Sequence, residues 1–282
     1  MVVLPRILLF DSGVGGLSIY HEIKKSLPKA HYHYYADHMA SPYGDKGDDW
    51  LDHRINRILI ELDQVLTPDI IVLACNTAST LSLESLRSNI TTNIVGVVPA
   101  IKTASEKYQA QTIGLLATPA TIEREYIENL TNKYSSNKTI IKVGSTELVA
   151  LAEEKLHGGK IPDISLHRII TPFIDANCQH VVLGCTHFPL LKPELQALAP
   201  NIHWIDSGEA IANRVKDRLG LSTNPGSDKM NVQPEAIESS FYSSAEIKDE
   251  LQTYIKELAS ARLRHIICLA FNSKRGPSLK VK

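Results

Sequence analysis

Short apolar runs that stop abruptly at small or polar residues recur along this chain: "RILLFDS", "HYHYYAD", "DIIVLAC", "NIVGVV", "TIGLLAT", "HVVLGC" and "IHWIDS". Each is the length of a buried strand, and the segments between them are long enough for crossover helices. Such alternation predicts parallel α/β sheets. Ligands on sheets of this kind bind beyond the carboxyl ends of the strands. There the runs end in Asp11-Ser12, Cys75-Asn76-Thr77, Thr118 and Cys185-Thr186-His187, so the polar residues gather where a site belongs.

The pattern repeats. "ILLFDSG" followed by "VLACNTAST" parallels "IGLLATP" followed by "VLGCTHFPL", with 64 residues from Asp11 to Cys75 and 68 from Ala117 to Cys185. A duplicated α/β unit follows from this, with Ser12 matching Thr118, Cys75 matching Cys185, and Ala117 standing where Asp11 does. Two related domains facing each other would put one cysteine on each side of a cleft.

Composition narrows the function classes. With 282 residues, 43% of them hydrophobic, the chain can bury one large core or two smaller ones. The 30 Lys+Arg against 31 Asp+Glu advertise no polycationic surface for nucleic acid, so a small-molecule substrate is expected. Four cysteines without a CxxC pair favour free thiols and a reducing compartment. The opening "MVVLPRILLF" is broken by Pro5 and Arg6 and ended by Asp11, which reads as a strand rather than a signal peptide. No run reaches the roughly 18 apolar residues of a membrane span. A cytoplasmic protein is expected. The basic tail "NSKRGPSLKVK" reads as a solvated end.

Two opposed thiols have a specific use. A helix N-terminus or a nearby cation lowers a thiol's pKa, and each cysteine sits at an apparent strand-to-helix junction. A base on one face of a carbon and an acid on the other remove a proton and return it with inverted configuration, which is racemisation. Asp11 could assist Cys75, and His187 could orient or activate Cys185. The plainer alternatives are a buried cysteine acting as a small hydrophobe and a histidine acting as a structural hydrogen-bonder. "DSGVGGLS" begins a dinucleotide fingerprint with Gly13 and Gly15, and Asp37 lies near the later acidic position, but Ser18 replaces the third glycine and a tight turn fits better. Metal binding by Cys185 and His187 would need ligands that the local spacing does not supply.

Together "FDSGVGGLS", "YADHMASPYG", "LACNTAST" and "LGCTHFPLL" resemble glutamate racemase, of the aspartate/glutamate racemase superfamily, over about residues 7–213. The resemblance implies cofactor-independent racemisation of L-glutamate to D-glutamate for peptidoglycan synthesis, by two α/β domains enclosing the substrate, in a homodimer. The first domain would comprise 1–97 plus 209–282 and the second 98–208. Carried over motif by motif, it makes Cys75 and Cys185 the two acid/base residues and Asp11 and His187 their assistants. Asp11 and His187, together with Ser12, Pro42, Tyr43, Gly44, Asn76, Thr77, Thr118, Thr186 and Glu153, would hold or border the substrate, and no cofactor or metal is implied.

The sequence also departs from that pattern. Ala40 stands where many members carry a basic residue before "PYG", so loop behaviour or assembly is expected to differ. "VGSTELVALAEE" lacks the cysteine-proline and the later proline of many members, which weakens Glu153 and leaves the two thiols untouched. Only ten residues precede Asp11, whereas the type activated by a peptidoglycan precursor carries an N-terminal extension, so that activation is not expected. The nearer rival function is racemisation of another amino acid such as aspartate; those relatives tend to have glutamate after the second Cys-Thr, and His187 favours glutamate as substrate. The farther rival is a nucleotide-binding oxidoreductase using the Gly13 loop.

Overall fold

A computed structural model describes residues 4–109, 111–221 and 239–259, together with the backbone of 263–268, 271–272 and 276–277. Its strands are β1 Arg6–Asp11, β2 His31–Ala36, β3 Ile70–Leu73, β4 Asn93–Gly96, β5 Thr112–Ala117, β6 Thr139–Gly144, β7 His180–Leu183, β8 His203–Ile205, β9 Ser239–Ser243 and β10 Leu263–Cys268. They form two sheets, ordered β10-β9-β2-β1-β3-β4 and β6-β5-β7-β8, and each pairing within them is parallel. The seven apolar runs fall on β1 to β5, β7 and β8. β6, β9 and β10 are additional. β6 is an edge strand with partly exposed residues, and β9, "SSFYS", is buried yet reads as a turn by composition.

Apolar runs are continuous because both faces of each sheet are covered. In β1, Ile7 and Leu9 pack with helix Leu17–Ser26 and with Ile211 and Val215 of helix Gly208–Arg218, while Leu8 and Phe10 pack with helices Asp48–Leu66 and Asn76–Asn89 on the opposite face. Helix Asp48–Leu66 shows why such segments fold as they do. Leu51, Ile55, Ile58, Leu59 and Leu62 recur at helical spacing and are buried, Asp48 and Asp49 complement the helix dipole, and Thr67 ends the helix in the left-handed region at φ 42°. In the second sheet, Leu116, Val181 and Leu183 pack with helices Glu147–Leu156 and Asp163–Asp175, and Leu115 and Val182 pack on the other side.

The predicted repeat extends to the strand order, β2-β1-β3-β4 corresponding to β6-β5-β7-β8. Register carries the same correspondence, since Phe10 pairs with Leu73 as Leu116 pairs with Leu183. Two residues beyond those pairs stand Cys75 and Cys185.

One buried ion pair braces the loop after β2. Arg54 reaches from helix Asp48–Leu66 to clasp fully buried Asp37 through Nε and Nη2, both at 2.6 Å, and the Tyr43 hydroxyl donates to the same carboxylate at 2.7 Å. Asp37 therefore fastens the 38–46 loop, not a ribose. Arg54→Ala would leave that carboxylate buried without its cation and should lower unfolding stability by about 3–5 kcal/mol. Urea denaturation would measure it, and a loss below about 1 kcal/mol would show the brace to be unimportant.

No helix among the described residues is long and apolar enough to cross a membrane. The terminal stretch read as a solvated end lies outside the described residues, except for the backbone of Asn272, Gly276 and Pro277.

Candidate active site

Cys75 occupies the N-cap of helix Asn76–Asn89, directly after β3, with its Sγ 3.8 Å from Ser12 Oγ. Only 6% of its surface is exposed. The expectation of a thiol acidified by the helix N-terminus does not hold here. Burial and the nearby Asp11 carboxylate push the Cys75 thiol up to about 12, against the Ala78 N–H and Ser12, which favour the thiolate. Cys75 is therefore a thiol at neutral pH.

Cys185 stands at the end of β7, before a 3-10 turn Phe188–Leu191 rather than a full helix, so the strand-to-helix junction is less regular than in the first half. Its exposure is 8%, and its Sγ lies 3.8 Å from His187 Nδ1. The other ring nitrogen, Nε2, is 2.8 Å from Glu153 Oε1. Burial opposes a charge on His187, but Cys185 and Glu153 outweigh it and raise its pKa well above the ordinary value. Glu153 is itself held down to about 2, because His187, His38 and the Val14 N–H outweigh the cost of its burial. A charged imidazole therefore stands beside the Cys185 sulfur.

Asp11 is fully buried and ends β1. Its Oδ1 accepts from the Gly13 N–H at 2.8 Å and its Oδ2 from the Thr186 hydroxyl at 3.0 Å. Burial raises its pKa despite His187 and these two donors. Its carboxylate thus acts on Cys75 through the field, while its hydrogen bonds run to the Gly13 turn and to the other half of the site. Gly13 and Gly15 allow close approach: a Cβ on Gly15 would stand 2.5 Å from His187 Nδ1 and 2.7 Å from Thr186 Oγ1, and one on Gly13 would strike Glu153. Ser18, in the third glycine's place, donates to the Thr186 carbonyl at 2.9 Å. The space a dinucleotide phosphate would need is filled by Thr186, His187 and Glu153.

The polar lining is built from threonines and an amide. Thr77 Oγ1 lies 3.2 Å from both Thr118 Oγ1 and Thr121 Oγ1, and Thr118 and Thr121 are 2.9 Å apart. Thr118 also caps helix Pro119–Ile122 through the Thr121 N–H. Asn76 is buried with its Nδ2 lacking a partner, an orphan donor of the kind that marks a binding position. Gly44 comes so near Thr118 that an added Cβ would lie 3.2 Å from the Thr118 Cβ. Pro42 precedes the single turn Tyr43–Asp45, and Tyr43 is buried with its hydroxyl turned to Asp37. Twelve of the thirteen candidates therefore lie on strand ends, helix starts or this loop, while Glu153 reaches in from the C-terminal half of helix Glu147–Leu156; the Tyr43 hydroxyl is turned away to Asp37.

Thr121 and His38 were missed. Thr121 falls three residues after Thr118 on the first turn of a helix, a spacing that could have found it; His38 had no such signal. A cleft of about 860 Å³ is lined by Asp48, Ser79, Arg87 and Arg124 among others and by none of the candidates, so the thiols are enclosed elsewhere. Among the described residues no group of three or more His, Cys, Asp or Glu side chains could hold a metal ion.

The family model described as Asp/Glu/hydantoin racemase matches residues 13–215. Glutamate racemase of Vibrio cholerae serotype O1 is 46% identical over 223 residues, 79% of this chain and 83% of that protein. That of Haemophilus ducreyi is 48% identical over 217 residues, 75% of this chain and 80% of that protein. The solved structure of Escherichia coli glutamate racemase, in complex with L-glutamate and the activator UDP-MurNAc-ala, matches with a TM-score of 0.83 at 36% identity, covering 95% of this chain and 100% of that one.

Proposed function

Because the chain belongs to the Asp/Glu/hydantoin racemase family and is an isomerase, we propose that it interconverts L- and D-glutamate, with Cys75 and Cys185 as the two proton-transfer groups. The observation that carries this reading is the pair of thiols at equivalent positions of two like-ordered sheets, each with its own electrostatic partner. In one direction Cys185, beside charged His187, serves as the base and Cys75, kept protonated by burial and Asp11, as the acid. The Cys185 thiolate takes the α-proton of one enantiomer, the electron pair left on carbon is spread into the adjacent carboxylate, and the Cys75 S–H delivers its proton to the opposite face. Cys75 ends as thiolate and Cys185 as thiol, which is the state that runs the reverse direction.

The carboxylates of glutamate suit the Asn76 amide, the Thr77, Thr118 and Thr186 hydroxyls and the N-terminus of helix Asn76–Asn89. Its ammonium group suits the Asp11 side and would ease formation of the Cys75 thiolate. Ser12, Pro42, Tyr43 and Gly44 complete the enclosure. The reading extends to domains of 1–97 plus 209–282 and 98–208, to a cytoplasmic homodimer, and to supply of D-glutamate for peptidoglycan, for all of which the family resemblance is the support.

Purified protein given L-glutamate and no added cofactor should form D-glutamate until the two enantiomers are equal, as followed by optical rotation. An aspartate-only activity would move the reading to the nearer rival, and no racemisation of either would remove it.

A further inference from the structure

We infer that His38 is a positioning residue for the Cys185 half of the site, leaving Glu153 to His187 while its own ring is neutral and drawing Glu153 away once its ring is charged. The inference rests on the racemase reading and adds a residue to it.

Hydrogen-bond capacity fixes the tautomer of the neutral His38 ring. His38 opens the 3-10 turn His38–Ala40 after β2, and that turn is fastened to the end of β9 by Met39 N–H to Ser244 Oγ at 2.9 Å and by His38 Nδ1 to Ser243 Oγ at 2.8 Å. A serine hydroxyl has one proton. Ser243 donates it to the Ala245 carbonyl at 2.6 Å, so Ser243 accepts from His38, and the neutral ring must carry its proton on Nδ1. Nε2 is then a lone pair, buried without a partner and 4.0 Å from Glu153 Oε2.

A lone pair facing a carboxylate offers it nothing. Glu153 therefore spends its hydrogen bonds on His187 through Oε1 at 2.8 Å and on the Val14 N–H at 3.2 Å. Protonation of His38 turns Nε2 into a charged donor 4.0 Å from Oε2. The new cation shares the carboxylate and also repels the charge on His187. Around His38 stand Glu153, His187, His157 and Asp37; burial favours the neutral ring, Glu153 and Asp37 favour the charged one, and the two histidines oppose it. The neutral form prevails in mild alkali and gives way in acid.

His38→Asn keeps a side-chain N–H for Ser243 and removes the titrating nitrogen. The expected result is a flatter pH profile, the fall in kcat/KM between about pH 8 and about pH 5 being at least about threefold smaller than in the parent. A purely structural role would scale the whole profile down without changing its shape, and a variant profile parallel to the parent's would overturn the inference. Parent protein without racemase activity at pH 8 would instead overturn the function on which the inference stands. Nitrogen-15 NMR of the parent's histidine rings gives a reading that needs no variant: a His38 ring protonated on Nδ1 and bare on Nε2 at pH 8 agrees with the inference, and the opposite tautomer contradicts it.

Discussion

Cys75→Ala and Cys185→Ala are each expected to lower the rate of glutamate racemisation by about 10³-fold or more in both directions while leaving the protein folded. On the proposed mechanism each direction needs one thiolate and one thiol, so neither survivor could complete the exchange alone. Both thiols are under a tenth exposed and belong to the apolar cores beside their sheets, but replacement by Ala removes a single sulfur atom from each, which the fold should withstand. Circular dichroism and thermal unfolding would establish that the fold persists, and a coupled assay for D-glutamate would give the rate. A single-cysteine variant with near-parental activity would end the two-thiol reading. Because burial and Asp11 hold the Cys75 thiol near 12, alkylation of the ligand-free protein at neutral pH should fall first on Cys185.

Glu153→Gln should cost about 10²-fold in kcat/KM near pH 8, with a narrower loss in mild acid. The sign follows from the balance on His187. Burial alone lowers a histidine's pKa, and in this site Cys185 and Glu153 reverse that and raise it. Without the carboxylate, burial regains ground, His187 loses its charge as the pH rises, and the cation beside Cys185 goes with it. At lower pH solvent protons restore the charge and part of the rate. A pH profile of the variant against the parent checks this; a loss that is uniform with pH would mean that Glu153 only shapes the site.

The strand ends and the repeat could be read from the sequence because each rests on local pattern. Apolar runs buried on both faces announce β1 to β5, β7 and β8, and the matched positions of Cys75 and Cys185 follow from counting residues along two similar halves. β9 could not be read this way: Ser239, Ser240 and Ser243 have turn composition, and only pairing with β2 and β10 makes a strand of them. The cross-domain bonds were hidden for a related reason. Thr186 to Asp11 and Ser18 to Thr186 join residues far apart in the chain, and they depend on how the two sheets face each other. The direction of the Cys75 shift failed as an expectation because a helix N-terminus is a local feature, whereas the burial that overrides it is set by the whole fold. Glu153 was named from a motif, but its bond to His187 belongs to tertiary structure.

Racemisation of L-glutamate in heavy water distinguishes two groups acting on opposite faces of the α-carbon from one base serving both. If Cys75 and Cys185 face each other across the substrate, the thiolate removes protium from one side while the opposing thiol, already exchanged with solvent, delivers deuterium from the other. At low conversion, mass spectrometry of the separated enantiomers should find deuterium at the α-carbon of D-glutamate and almost none in the recovered L-glutamate, with the mirror pattern when D-glutamate is the starting material. Deuterium entering recovered L-glutamate as fast as it enters the product would show one base serving both faces, and would contradict the account.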